Sequence, residues 1–305
     1  MSIFRRAQAV NRAPLFVAQG TVNPGEYTRT LKHGNLDRWY AVHVPPCEAP
    51  PSGWPVVMNW HGGGGNPDQQ RNDSKMDDVA DQHGFLVVYP AGTGIARERL
   101  LTFNAGICCG YAREHGIDDV GFAEAVLTDL AGYFPLDTRR IFSTGFSNGG
   151  FMTYRLACER PKLFAAIACV AGVLGVDPRD HGSPVPLIHF HGLQDQNVAF
   201  AGGIGPRAIE KVPRRSVPDT IRLWTERNVC EPKPAREQRV GAAVLKVFSP
   251  IGGGAPVEWW TLEDGGHTWP GGASTLPESF VGSINRDISA SELQWDFFTR
   301  SVRST

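Results

Sequence analysis

Apolar runs of strand length recur along the chain, separated by polar or glycine-rich breaks. They are Arg38–Val44, Pro55–Trp60, Phe85–Tyr89, Arg140–Thr144, Phe164–Val170, Pro186–Phe190, Val244–Phe248 and Val257–Leu262. Several are apolar at successive rather than alternate positions, the pattern of strands buried on both faces in a parallel sheet. Between them the spacing changes to the helical period. Ser74–Gln82 opens on a capping serine. Asp118–Tyr133 opens on two aspartates, favourable at a helix N-terminus, and carries Val120, Ala123, Val126, Leu127 and Leu130 at helical spacing. Asn148–Glu159, Pro218–Arg227 and Ser289–Arg300 complete the set. Strands alternating with helices predict an α/β fold with a mostly parallel, twisted central sheet and helices on both faces. In such a sheet the active site lies beyond the carboxyl ends of the strands. One catalytic domain is expected over residues 20–302, after an N-terminal extension, 1–19. Inside it, Ala199–Pro218 is a long excursion rich in glycine, proline and charge, and loops of that length are usually functional or mobile.

Composition narrows the function. With 41% hydrophobic and 20% charged residues, the 305-residue chain can bury a core. Its 30 basic and 31 acidic side chains leave a net charge of −1, without the basic excess that nucleic-acid binding uses to neutralise phosphates. The longest uncharged apolar stretch, Leu163–Val176, has 14 residues, short of the roughly 20 that span a bilayer. Arg5 and Arg6 are not followed by the apolar core of an export signal, so the chain as written reads as cytoplasmic. Glycine is the outlier, 35 residues or about 11% against an average near 7%, and the question becomes where it clusters.

The clusters fall at predicted strand ends. Gly145-Phe146-Ser147-Asn148-Gly149 is a G-x-S-x-G pattern. The bare pattern is common, but here a strand-like run ends at it and a helix-like run follows. That is the setting of a nucleophile elbow, with Ser147 on a strained turn and glycine two positions either side. The second cluster, His61-Gly62-Gly63-Gly64-Gly65, follows another strand. Its backbone N–H groups can point at a substrate oxygen, and Gly63 with Asn148 are the expected oxyanion donors. His61, at its head, is placed on the substrate side. The run lacks the spacing and lysine of a phosphate loop.

Two further segments supply the partners a serine needs. In His189–Val198 (HFHGLQDQNV), Asp195 lies in the turn after a late strand, where a triad carboxylate would hold a histidine tautomer. Its rivals are Asp177, Asp180 and Asp219. His189 and His191 stand two apart, but no third ligand follows at metal spacing, so they read as structural. Glu263–Gly272 (EDGGHTWPGG) presents His267 in a loop after the last strand, as general base for Ser147 and then general acid. The chain order Ser147, Asp195, His267 is that of the α/β-hydrolases.

Together the segments resemble the polyhydroxybutyrate depolymerase and feruloyl/acetylxylan esterase family of α/β-hydrolases, from about Arg38 to Trp295. The pieces that match are HVPP before Cys47, HGGGG, NAGICCG, DDVGF, TGFSNGG with LAC after it, HGLQD and GGHTWPGG. The resemblance implies an α/β-hydrolase fold and a serine carboxylic-ester hydrolase using Ser147, Asp195 and His267. It implies no metal or organic cofactor, and polyester, feruloyl or acetyl-sugar esters as substrates. Trp269, beside the histidine, looks like a binding-site wall. The cysteines Cys47, Cys108, Cys109, Cys158, Cys169 and Cys230 match no C-x-x-C pattern. In the resembled family the CCG and LAC cysteines look bridged, which points to Cys158 with Cys108 or Cys109. Family members are often secreted, and the absence of an export signal here departs from that. Asp118 and Asp119 read first as helix-start charges, and alternatively as holding the elbow or the cysteine loop in place. Two other functions stay open: a lactone or peptide hydrolase of the same fold, and a non-catalytic binder of polysaccharide or polyester. Small-molecule or polymer esters are the expected partners, and nothing in the sequence indicates an oligomeric state.

Overall fold

In the computed structural model, which describes residues 13–14, 22–96, 99–178 and 182–303, eleven strands join one sheet. In chain order they are β1 (Ala13–Pro14), β2 (Gly25–His33), β3 (Leu36–Val44), β4 (Trp54–Trp60), β5 (Leu86–Pro90), β6 (Leu136–Gly145), β7 (Ala166–Val170), β8 (Leu187–Gly192), β9 (Arg236–Val240), β10 (Ala243–Phe248) and β11 (Val257–Leu262). Their order across the sheet is β1-β2-β3-β5-β4-β6-β7-β8-β11-β10-β9. The run from β5 to β11 is parallel throughout. β2 and β3 flank it antiparallel on one side, β10 and β9 on the other. The chain passes from β4 to β5, then crosses back to β6 on the other side of β4. The carboxyl end of β4 therefore stands where the strand order reverses, the place where open α/β sheets hold ligands.

All eight apolar runs are strands; those of the central parallel sheet are buried from both sides, and β10 nearer the edge is covered mainly on one. On β4, Val56, Met58 and Trp60 enter one core and Val57 the other, as the two-residue period of a strand requires. The first core lies under α4 (Asp119–Ala131), α5 (Asn148–Glu159) and α6 (Val217–Arg227). The second lies under α1 (Pro67–Ser74), α2 (Met76–His83) and α8 (Ala290–Thr299). Two short helices, α3 (Gly110–Glu114) and α7 (Glu278–Val281), sit within loops.

Helix starts follow capping chemistry. Asp118 caps α4 by accepting from Gly121 N–H at 2.9 Å, and Ser216 and Ser289 cap α6 and α8. Ser74 departs from expectation. It closes α1, which Asn66 caps, and Lys75 in the left-handed region (φ 57°) separates α1 from α2.

The excursion after Ala199 is pinned rather than loose. Gly203 and Arg214 exchange two backbone hydrogen bonds, Arg207 N–H donates to Gln196 O, and the Phe200 ring stacks on Trp259. Of the N-terminal extension, only Ala13–Pro14 belongs to the described residues, paired with β2. No helix among the described residues is long and apolar enough to cross a membrane.

Candidate active site

Four strand ends meet at one place. β6 ends at Gly145, and the chain turns through Phe146 and Ser147 directly into α5. Ser147 has φ 51° and ψ −118°, a region that L-residues with a side chain rarely occupy. The turn is tight enough that a Cβ on Gly149 would strike the Trp60 and His61 carbonyls of the neighbouring strand end. Ser147 is half-buried, and the N-terminus of α5 lies beneath it, where developing negative charge is favoured.

His267 comes to this serine from the loop after β11. Its Nε2 lies 2.9 Å from Ser147 Oγ and its Nδ1 lies 2.7 Å from Asp195 Oδ2. An ionised carboxylate only accepts, so Nδ1 carries the ring hydrogen and the Nε2 lone pair faces the serine hydroxyl. Asp195 is 4% exposed, in the turn after β8. Burial alone pushes its carboxyl up. The charge and hydrogen bonds of His267 and His191 outweigh burial and hold it well below the usual carboxylate range. The N–H groups of Asn197 and Val198 also bond its Oδ1, each at 2.8 Å. The acid and base turns approach at backbone distance: a Cβ on Gly192 would collide with the Gly265 carbonyl. Of the rival carboxylates, Asp219 lies in the first turn of α6, where its N–H donates to the capping Ser216, and Asp180 lies outside the described residues.

The glycine run after β4 lies alongside the elbow. A Cβ on Gly62 would come within 3.6 Å of Ser147 Cβ, and one on Gly63 within 3.5 Å of Asn148 Cβ. Asn148 N–H is the first of α5 and has no intrahelical acceptor. Among the described residues no backbone carbonyl takes up Gly63 N–H. The Asn148 side chain serves a different end. Its Oδ1 accepts from Phe103 N–H at 2.8 Å and its Nδ2 donates to Phe103 O at 3.0 Å, clamping the segment before the cysteine pair.

Three sequence expectations are corrected. Trp269 borders a small recess beside His267, but at 1% exposure its ring presents almost no surface to a substrate. Its indole N–H donates to Ser291 Oγ of α8 at 3.1 Å, and Ser291 donates to Ser74 O of α1. The ring beside His267 is Phe146, 4.8 Å between centroids. His61 is also buried, its ring 4.4 Å from Phe103. Gly92 N–H donates to its Nε2, so Nδ1–H donates to Gly62 O, fixing a carbonyl of the glycine run. Burial lowers its pKa to about 4, which keeps it neutral. Finally, Cys158 is a free buried thiol, and Cys108 is bonded to Cys109. Cys108 Sγ lies 3.7 Å from Asn148 Nδ2 at the start of α5.

Asp119 occupies the place of its alternative reading, as a support of the segment before the cysteine pair. It is fully buried, accepts from Arg38 Nη2 at 2.7 Å and from Asn104 N–H at 2.7 Å, and so anchors the segment that Asn148 clamps. Arg38 in turn donates to Ala91 O, at the end of β5.

The chain is similar to known esterases in sequence and in fold. The family described as esterase PHB depolymerase matches residues 38–199. The chain is 30% identical over 276 residues to "Putative esterase NocK" of Nocardia uniformis subsp. tsuyamanensis, covering 85% of this chain and 78% of that protein. It is 27% identical over 219 residues to feruloyl esterase B of Piromyces equi, covering 70% of this chain but 39% of that relative's length. Among solved structures, acetyl xylan esterase from Aspergillus awamori superposes with a TM-score of 0.60 at 15% identity, over 89% of this chain and 98% of that one. That likeness speaks for the fold, which is the α/β-hydrolase fold.

Proposed function

The chain belongs to the esterase PHB depolymerase family and is a carboxylic ester hydrolase, and we propose that it works through an acyl-enzyme on Ser147. The reading rests on one observation: the continuous path of hydrogen bonds from Ser147 through His267 to Asp195, at 2.9 and 2.7 Å. Ser147 Oγ attacks the ester carbonyl while His267 Nε2 takes its proton. Asp195 keeps Nδ1–H in place and stabilises the imidazolium that forms. The carbonyl oxygen, now negative, is received by the N–H groups of Gly63 and Asn148. His267 then protonates the leaving alcohol, and water repeats the sequence on the acyl-enzyme.

The proposed substrates are feruloyl, acetyl-sugar or polyester-type esters, in keeping with the relatives' names. The small recess beside His267 is bordered by Phe146, Trp269, Leu276 and Val281 together with the polar Gln69 and Asp73.

The test is direct. Ser147→Ala is expected to lower kcat on p-nitrophenyl acetate by roughly 10⁴- to 10⁶-fold and to abolish labelling by a fluorophosphonate. Near wild-type turnover in that variant would overturn the reading. Wild-type protein that neither turns over nor labels would be a binder on a hydrolase scaffold. Relative kcat/KM on methyl ferulate, acetylated xylan and hydroxybutyrate oligomers then assigns the acyl group.

A further inference from the structure

Asp195 is held by more than the histidine it orients. Its Oδ2, bonded to His267, also has Nε2 of His191 at 3.3 Å. His191 stands on β8, 1% exposed, and the same Nε2 lies 2.8 Å from Val198 O. A carbonyl only accepts, so Nε2 carries the ring hydrogen and donates it to Val198 O, with Asp195 Oδ2 in close electrostatic contact with the same N–H at 3.3 Å. Nδ1 is left as a bare, buried acceptor with no partner among the described residues. An apolar side chain, like Leu187 or Phe190 on the same strand, would fill the place without that unmet group. A buried unmet acceptor calls for a reason, and here the reason is the hydrogen on the other side of the ring.

We propose that His191 is a positioning residue for ester hydrolysis, its Nε2–H fixing the Asp195 carboxylate in the orientation that serves His267 and limiting that carboxylate's basicity. The proposal rests on the reading of Ser147, His267 and Asp195 given above. With His191 in place, the carboxylate has two donors on Oδ1, from Asn197 and Val198, one on Oδ2, from His267, and the polar Nε2–H of His191 facing Oδ2 at 3.3 Å. It is thereby kept from turning away as the imidazolium forms. Without His191, Oδ2 keeps only the bond to His267 and becomes the stronger base, which favours the protonated histidine. Other ionisable groups face this cluster. Arg214 on the excursion is close enough to feel the Asp195 charge, and the His189 ring stacks on His191 at 5.6 Å with its own Nδ1 2.9 Å from the Tyr154 hydroxyl. Neither His189 nor Arg214 makes a hydrogen bond to Oδ2 among the described residues.

The experiment compares His191→Leu and His191→Gln in the full chain, with Ser147→Ala and Asp195→Asn alongside. His191→Leu removes the hydrogen. It is expected to lower kcat about 10- to 100-fold, the worth of one hydrogen bond to a charged group, with KM little changed. The acid limb of its kcat/KM profile should move to higher pH by about half a unit or more, because the base histidine holds its proton longer. His191→Gln carries an N–H near the place of Nε2 and should return both kcat and the acid limb close to wild type. If His191→Leu does not fold, His191→Asn takes its place, since its shorter amide reaches neither Val198 O nor Oδ2. The proposal is overturned if the acid limb stays put while only the melting temperature falls, or if His191→Gln behaves as His191→Leu does. Retained activity in Ser147→Ala would instead strike the triad reading beneath it. Inactive Ser147→Ala and Asp195→Asn with unaffected His191 variants would remove this inference alone.

Discussion

The elbow serine holds φ 51°, a conformation that costs on the order of 1–3 kcal/mol and persists because the surroundings leave no alternative. Phe146 N–H is bonded to Trp60 O on one side and Ser147 N–H to Val170 O on the other. Single residues also mark the limit of what sequence shows. Ser147, Asp195 and His267 are legible because their chemistry demands those residue types at strand ends, and the strand ends are visible as breaks in apolar runs. Trp269 and His61 stand as close in sequence to the same chemistry, but adjacency says nothing of which way a ring points. Trp269 turns into the second core, where its indole N–H meets Ser291, and His61 turns under the glycine run. Trp269→Phe is accordingly expected to lower stability by about 1–2 kcal/mol through the lost hydrogen bond while leaving KM for any ester within about twofold. Urea unfolding with parallel kinetics checks this. A large rise in KM at unchanged stability would restore the ring to the substrate wall.

At the scale of elements, the eight apolar strands and the helices α4, α5, α6 and α8 follow from periodicity, because each buries an apolar face. The elements that escape it bury something else or nothing. β9 (REQRV) is an exposed edge, and α1 (PDQQRNDS) turns polar groups inward. Gln70 bonds Asn59 Oδ1 at 2.7 Å, and Asn59 bonds Ser74 Oγ at 3.0 Å, so α1 is held to β4 by a buried amide network that no hydropathy pattern reveals. The first turn of α4 divides its two aspartates by function. Asp118, at the surface, caps the helix. Asp119, one residue on, faces inward to Arg38 of β3 and to Asn104. Burial pushes the Asp119 carboxyl up, and Arg38 and the Asn104 N–H offset part of that. Asp119→Ala would leave the Arg38 guanidinium buried and unpaired, a loss of about 3–5 kcal/mol. The denaturation midpoint should fall accordingly, and kcat with it, as the segment clamped by Asn148 loosens. An unchanged midpoint would show the pair to be dispensable.

Across the whole molecule, two buried groups take up protons in opposite senses as it unfolds. His61 has its pKa lowered to about 4 by burial, against about 6.5 in an unfolded chain. Between those values the unfolded state binds the extra proton, so stability rises with pH. Asp73, buried between α1 and the base loop, has its pKa raised by burial to about 7, against about 3.9 unfolded. Between those values the folded state binds the extra proton, so this group's contribution falls as pH rises. Asp73→Asn removes the second effect and keeps an oxygen for Thr275 N–H, now 3.1 Å from Oδ1. Its stability relative to wild type is expected to grow between pH 4 and 7, by up to a few kcal/mol. Urea midpoints at pH 4.5 and pH 8 test this, and an equal difference at both would refute it. The same base loop has a bearing on biosynthesis. The Trp269 indole is linked to α1 through Ser291 of α8, the last of the described helices. A nascent chain emerging from a ribosome displays its nucleophile and its acid long before α8 has left the exit tunnel. The loop that carries His267 is tied to α1 through Ala273 N–H on Asp73 O and to the acid turn through Gln194 N–H on Gly265 O, so the base joins the nucleophile and the acid last in the order of synthesis, and α8 adds its Ser291 link after that.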